Sequence, residues 1–277
     1  MPTIQLGATR LAYTERGSGP SVLLIHGTGT YSETFEPLLD ELPASVRAIA
    51  YDRRGFGASA GPPARTLGRH VEDAAALLEG LDARPATVVG SSSGGVLALR
   101  LAIARPDLVA ALVLIEPVYQ LAFVPSASAS AAIARVYLHW AVRRDPKGAA
   151  LRFYRWATAY TGGGNQFDAY PERWQRVGFA HAATALRELP LVPISGPSRS
   201  AMRGIAKPTA VLVGNAGQRV FRRTARRALD AIPGARAVDV PGAAHLLYTD
   251  RPGACAAAIV DAVGGVAGDV EVLSPST

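Results

Sequence analysis

The sequence predicts an α/β fold: a mostly parallel eight-stranded sheet flanked by helices, with a helical cap inserted after the sixth strand. Three observations predict it. Short runs at residues 21–26, 46–51, 86–90, 108–115 and 209–214 are apolar throughout and rich in Val, Leu and Ile. Strands buried on both faces read this way, as they do in parallel sheets covered by helices. Between these runs lie segments in which apolar residues recur at helical spacing, so strand and helix alternate. The alternation breaks off after Pro117 and resumes at Thr209.

Taken in order, residues 4–6 and 10–15 predict an antiparallel hairpin turning at Gly7, and the Gly17-Ser18-Gly19-Pro20 break leads into the strand at 21–26. A helix is expected over 33–42, capped by Ser32, and another over 67–81 after Thr66, with Leu67, Val71, Ala74, Leu78 and Leu81 on its inner face. The strand at 86–90 runs into a helix through a Ser/Gly turn. From Val118 to Ser200 no strand is expected, only helical stretches carrying Tyr137, Trp140, Phe153, Tyr154, Trp156, Tyr160, Trp174 and Phe179. After the strand at 209–214, Arg219, Arg222, Arg223, Arg226 and Arg227 alternate with Val220, Ala225 and Leu229 as the solvated face of an amphipathic helix. A last strand ends at Val240. The expected division is therefore 1–117 with 201–265 as the core, 118–200 as the cap and 266–277 as a tail.

Composition bounds the function. The 277 residues carry a formal charge of +7, yet nearly all the cations are scattered arginines, with Lys147 and Lys207 the two lysines. Without a basic stripe beyond the one helix face, no nucleic-acid partner is expected. At 49% hydrophobic and 18% charged residues the chain has ample material for a core. Cys255 is the single cysteine, which excludes internal disulfides and cysteine-based zinc sites. No metal or other cofactor is expected. The first residues lack a basic segment followed by an apolar one, and no apolar run approaches the roughly 18 residues that span a bilayer, so a cytoplasmic protein with no membrane partner is expected.

The most specific motif is Gly90-Ser91-Ser92-Ser93-Gly94, a strand entering a helix through G-x-S-x-G. Glycines two residues either side of Ser92 let the strand and helix approach, lift its hydroxyl, and aim the backbone N–H of Ser93 and the helix dipole at a developing oxyanion. Such a turn can also merely cap a helix; the strand-turn-helix setting favours the nucleophile. Ser91 and Ser93 lack the flanking glycines. The tight turn His26-Gly27-Thr28-Gly29 ends the third strand and offers the Thr28 N–H as a second oxyanion donor. A general base should follow the nucleophile late in the chain, where Val240-Pro241-Gly242-Ala243-Ala244-His245 carries one histidine after a strand. Of the other four, His26 belongs to the glycine turn, His70 to a core helix, and His139 and His181 to the insertion.

His26-Gly27-Thr28-Gly29, the Asp52-Arg53-Arg54-Gly55-Phe56-Gly57-Ala58-Ser59 loop, the Ser92 elbow and His245 together resemble the α/β-hydrolase fold family over nearly the whole chain except the insertion. In most members an Asp follows the seventh strand by about three residues, but Val213-Gly214-Asn215-Ala216-Gly217-Gln218 holds no carboxylate. The resemblance points instead to Glu116, after the sixth strand, where some relatives carry the acid; tying down the cap hinge beside Pro117 is its other possible role. Asp230 on a helix and Asp239 inside a strand are poorer choices. Relatives that open epoxides or displace halide have Asp at the elbow, so Ser92 argues for acyl chemistry.

A cofactor-free serine hydrolase of Ser92, His245 and Glu116 is the leading expectation, cleaving an ester, thioester or lactone of a hydrophobic, polyketide-like acyl substrate through an acyl-enzyme. Tyr137, Trp140 and Trp156 are the cap residues expected to bind that substrate. Two other readings stay open: a C–C hydrolase, lyase or cyclase using the same site, and a receptor or pseudoenzyme that keeps the pocket without turnover.

Overall fold

The computed structural model describes residues 1–271, apart from 8, 60, 193 and 195. The strands are β1 (Thr3–Leu6), β2 (Thr9–Arg16), β3 (Ser21–Ile25), β4 (Arg47–Tyr51), β5 (Ala86–Ser91), β6 (Val109–Ile115), β7 (Thr209–Gly214) and β8 (Arg236–Val240). They form one eight-stranded sheet in the order β1-β2-β4-β3-β5-β6-β7-β8. β1 and β2 pair antiparallel, as do β2 and β4, and every later pairing is parallel. β3, β5, β6 and β7 are buried along almost their entire length, which is why their sequences show no polar alternation.

Helices cover both faces of the sheet. The helices of the chain are α1 (Glu36–Glu41), α2 (Leu67–Gly80), α3 (Ser93–Ala104), α4 (Ala127–Arg143), α5 (Pro146–Ala157), α6 (Glu172–Ala180), α7 (Ala182–Glu188), α8 (Arg199–Arg203), α9 (Arg219–Ala231), α10 (Leu247–Asp250) and α11 (Pro252–Glu271). One core joins Leu23, Ile25, Val88 and Leu112 to α2, α3 and α9 through Leu78, Leu97 and Ala225. The opposite core joins Leu24, Val89, Val113 and Leu212 to α1, α10 and α11 through Leu38, Tyr248 and Ile259. Cys255 lies in this second core, and burial pushes its thiol up to about 12, so it is an inert packing residue. The arginines of α9 are partly or fully exposed while Val220, Ala225 and Ala228 are buried.

Local departures have physical reasons. Ser32 does not cap a helix: residues Ser32–Phe35 form a 3-10 turn, and the Ser32 backbone N–H donates to Asp52 Oδ1 at 2.8 Å. Thr66 precedes α2 without a side-chain capping bond. α11 continues through Gly264 and Gly265 to Glu271, into the segment expected as tail; residues 272–277 lie outside those described. Among the described residues, no helix is long and apolar enough to cross a membrane.

Among the described residues, those between β6 and β7 are helical or looped, and Tyr154, Trp156 and Leu189 of this segment share a cavity with Ser92 at the end of β5. Tyr154 of α5 illustrates the contact, since a Cβ on Gly29 would fall 2.2 Å from its ring. The cap has cores of its own, one around Tyr154, Phe167 and Ala185 and another around Val136, Ala149, Leu186 and Leu189.

Candidate active site

The site begins where β5 turns into α3. Ser92 holds φ 55° and ψ −118°, a region that costs a non-glycine residue about 1–3 kcal/mol and that the surrounding backbone must enforce. Enforcement comes from three backbone bonds, Ser92 N–H to Ile115 O at 2.9 Å and, onto Ser92 O, Gly95 N–H at 3.1 Å and Val118 N–H at 3.3 Å. The glycines are needed for space. A Cβ on Gly90 would lie 2.4 Å from Gly94 O, and one on Gly94 would lie 2.1 Å from Ile25 O. Backbone cannot yield as a side-chain tip does. Gly94→Ala is therefore expected to destabilise the protein by about 3 kcal/mol or more, at the severe end of overpacking. Its thermal midpoint should fall by roughly 5–10 °C; a midpoint within a degree of wild type would show that the elbow has slack.

Three side chains from three strand ends meet here. Glu116 follows β6 with φ 39°, its backbone N–H donating to Leu212 O at 3.1 Å. Its Oε1 accepts from Gly214 N–H at 3.1 Å, and its Oε2 lies 2.8 Å from His245 Nδ1. His245 Nε2 lies 3.0 Å from Ser92 Oγ. Burial pushes the Glu116 carboxyl up, opposed by the His245 and Gly214 hydrogen bonds. The Phe221 ring of α9 stacks on the imidazole, centroids 3.6 Å apart at 15°, which fixes its plane. The acid, the histidine and the serine expected from the sequence thus form one continuous hydrogen-bonded line. At Gly217, three residues beyond the end of β7, a Cβ would make tight contacts of 3.1 Å with Ala244 Cα and with His245 N.

The turn at 26–29 packs against the serine, with a Cβ on Gly27 reaching within 3.0 Å of Ser92 Cβ. His26 is structural. Buried, it accepts from Arg53 N–H on Nε2 at 3.0 Å, which leaves Nδ1 to donate to Gly27 O at 2.8 Å. Burial, helped by Arg53, holds its pKa well below the ordinary histidine value, so the ring is neutral. Next to it stands a group that the sequence reading did not single out. Glu188, at the end of α7, is buried and receives Arg53 Nη1 at 2.8 Å, Arg53 Nη2 at 2.9 Å, His70 Nε2 at 3.1 Å and the Thr28 hydroxyl. Burial alone would raise this carboxyl, but Arg53 and His70 outweigh it and hold it below the usual range, so it is ionised. The signal was present: Glu188 falls three residues after Ala185, on the buried side of a helix that also carries Ala182 and Leu186.

Above Ser92 lies a cavity of about 220 Å³. Its walls are apolar: Val118, Leu121, Ile133, Phe153, Tyr154, Trp156, Phe167, Leu189 and Phe221, with Ser92, Ser93, Thr28 and His245 at the floor. Tyr137 and Trp156 line it. Trp140 does not. One turn beyond Tyr137 on α4, it packs at the edge of the cap's core beside Val136, Ala149 and Leu186. Among the described residues, no group of His, Cys, Asp and Glu side chains is arranged to hold a metal ion.

Comparison with known proteins shows the fold family. The model of a family described as "Alpha/beta hydrolase family" matches residues 22–258. The chain is 36% identical over 122 residues to an uncharacterized hydrolase, YraK, of Bacillus subtilis, covering 42% of this chain and 44% of that protein. It is 43% identical over 101 residues to lipase LipV of Mycobacterium tuberculosis, covering 36% of this chain and 38% of the lipase. The matched stretches thus span under half the length of these curated relatives. Among solved structures, a hydrolase from Pseudomonas aeruginosa superposes with a TM-score of 0.77 at 26% identity, covering 95% of this chain and 98% of that one.

Proposed function

Because the chain belongs to the alpha/beta hydrolase family, we propose that it is a serine hydrolase that cleaves an ester, thioester or lactone of an apolar acyl substrate. The observation that carries this reading is the line Glu116 Oε2–His245 Nδ1 at 2.8 Å and His245 Nε2–Ser92 Oγ at 3.0 Å, at the floor of an apolar cavity. Glu116 keeps the proton on Nδ1, leaving Nε2 free to take the Ser92 proton as Oγ attacks the substrate carbonyl. The tetrahedral oxyanion forms beside the turn at 26–29 and the start of α3, where the backbone N–H groups of Thr28 and Ser93 stabilise it. His245 then protonates the leaving group, and the acyl-enzyme is hydrolysed by a water that His245 activates. The cavity walls suit a hydrocarbon-rich acyl chain, each buried CH₂ contributing about 0.8 kcal/mol to binding. No cofactor takes part. The lack of a carboxylate after β7 would favour a receptor without turnover, but the Glu116 carboxylate, 2.8 Å from His245 Nδ1, supports the enzyme reading instead.

Intact-mass spectrometry after incubation with a fluorophosphonate tests the reading. One equivalent is expected on the wild-type protein, mapping to the peptide of Ser92, and none on Ser92→Ala or His245→Ala. Unlabelled wild-type protein would overturn the serine mechanism and shift the site to non-covalent chemistry.

A further inference from the structure

We propose that Glu188, a residue of the cap, is a positioning residue for the oxyanion side of the site, acting through the hydroxyls of Thr28 and Ser93. The proposal rests on the serine-hydrolase reading above. The Thr28 hydroxyl touches two groups, the Glu188 carboxylate and Ser93 Oγ, the latter at 2.9 Å. A hydroxyl has one proton, and an ionised carboxylate can only accept, so Thr28 donates to Glu188 and receives the Ser93 proton. This gives a directed chain from Ser93 through Thr28 to Glu188, and it links two residues 65 apart in sequence to a third 160 residues from Thr28. Thr28 and Ser93 are the two residues whose backbone N–H groups serve the oxyanion. Fastening both side chains to one buried anion fixes the separation and rotation of those donors.

The anion is itself held firmly. Arg53 grips Glu188 with both nitrogens of its fork, and Arg53 is anchored to the turn at 26–29 by Nη2 to Gly27 O at 3.0 Å. His70, which burial and Arg53 keep neutral, donates to Glu188 from Nε2, its buried Nδ1 having no partner among the described residues. A neutral histidine there adds a hydrogen bond without neutralising the charge. Docking the cap does not require this buried carboxylate, since Val124, Ala157 and Val192 already pack into the core of the sheet domain. What the carboxylate adds is direction, toward Thr28. The oxyanion donors are therefore correctly spaced only when the cap is seated, so a loosened cap holds a nucleophile but not a complete site.

The test separates positioning from mere stability. Thr28→Val removes the hydroxyl and leaves the Arg53–Glu188–His70 cluster and the Thr28 backbone N–H in place; Thr28→Ser keeps the hydroxyl. With a medium-chain p-nitrophenyl ester, Thr28→Val is expected to lower kcat about 10- to 100-fold, the range set by a displaced catalytic group, with KM within about twofold. Thr28→Ser should return activity to near the wild-type level. Glu188→Gln should show the same loss in kcat, and the double variant Thr28→Val/Glu188→Gln should be no slower than Thr28→Val alone, because both changes cut one chain. Wild-type kcat in Thr28→Val, or additive losses in the double variant, would overturn the proposal, and the first of these outcomes reads out even where Glu188→Gln fails to fold. If fluorophosphonate labels the wild type and labels Thr28→Val equally fast, Glu188 positioning is wrong while the serine mechanism stands. If the wild type is not labelled, the mechanism fails and takes this proposal with it.

Discussion

Replacing Glu116 by glutamine is expected to lower kcat about 10⁴-fold while leaving the fold intact, the size seen when a triad histidine is held in the wrong tautomer. The geometry dictates which tautomer results. Glu116 Oε1 accepts a hydrogen bond from Gly214 N–H at 3.1 Å, and only the carbonyl oxygen of a glutamine can accept there. The amide NH₂ must then take the place of Oε2, 2.8 Å from His245 Nδ1. Nδ1 is forced to accept, the ring proton moves to Nε2, and Nε2 can no longer receive the Ser92 proton. Stability should move the other way. Burial raises the Glu116 carboxyl, so this residue favours the folded state most at acidic pH and progressively less as pH rises past its ordinary value of 4.5. A neutral amide escapes that penalty, and the thermal midpoint of Glu116→Gln at pH 7 should equal or exceed that of wild type. Steady-state kinetics with calorimetry on the same sample checks both halves. A kcat within tenfold of wild type would remove Glu116 from the mechanism.

The parts of the fold legible in the sequence are those under a single dominant constraint. β3, β5, β6 and β7 are covered on both faces, so their sequences could only be continuous apolar runs. The elbow was legible because backbone atoms surround Gly90 and Gly94 and permit no side chain. Glu116 was harder, for nothing local marks it; its identification needed the resemblance to a family together with the lack of a carboxylate after β7. The cap resisted reading. Helical spacing places Tyr137 and Trp140 on neighbouring turns of α4, yet the first lines the cavity and the second closes the cap's own core. Periodicity names a buried face but not what buries it. Phe153, Tyr154 and Phe167 line the cavity beside Tyr137 and Trp156, and Phe221 arrives from α9, outside the insertion. Glu188 escaped for the same reason: its partners Thr28, Arg53 and His70 come from three distant segments, and only the packed structure brings them together.

Ser92→Ala and His245→Ala are each expected to lower kcat by about 10⁶-fold, and the double variant by no more than either single one. The non-additivity is the diagnostic part. Ser92 Oγ and His245 Nε2, 3.0 Å apart, act as one unit: the hydroxyl is a poor nucleophile until the imidazole takes its proton, and the imidazole has no proton to take once the hydroxyl is gone. Removing the second member of a broken pair therefore costs nothing further. Neither change should disturb the scaffold. Alanine and serine are equally strained at φ 55°, so Ser92→Ala leaves the elbow as it was. His245→Ala leaves a gap against Phe221, which costs stability but not the nucleophile's position. Residual turnover should remain about 10³-fold above the uncatalysed rate, carried by the Thr28 and Ser93 N–H groups and by substrate binding, which do not depend on the serine hydroxyl. Rates of the two single variants and the double variant on one ester decide the matter. Losses that multiply in the double variant would mean that Ser92 and His245 act in separate steps, and the acyl-enzyme would have to be abandoned.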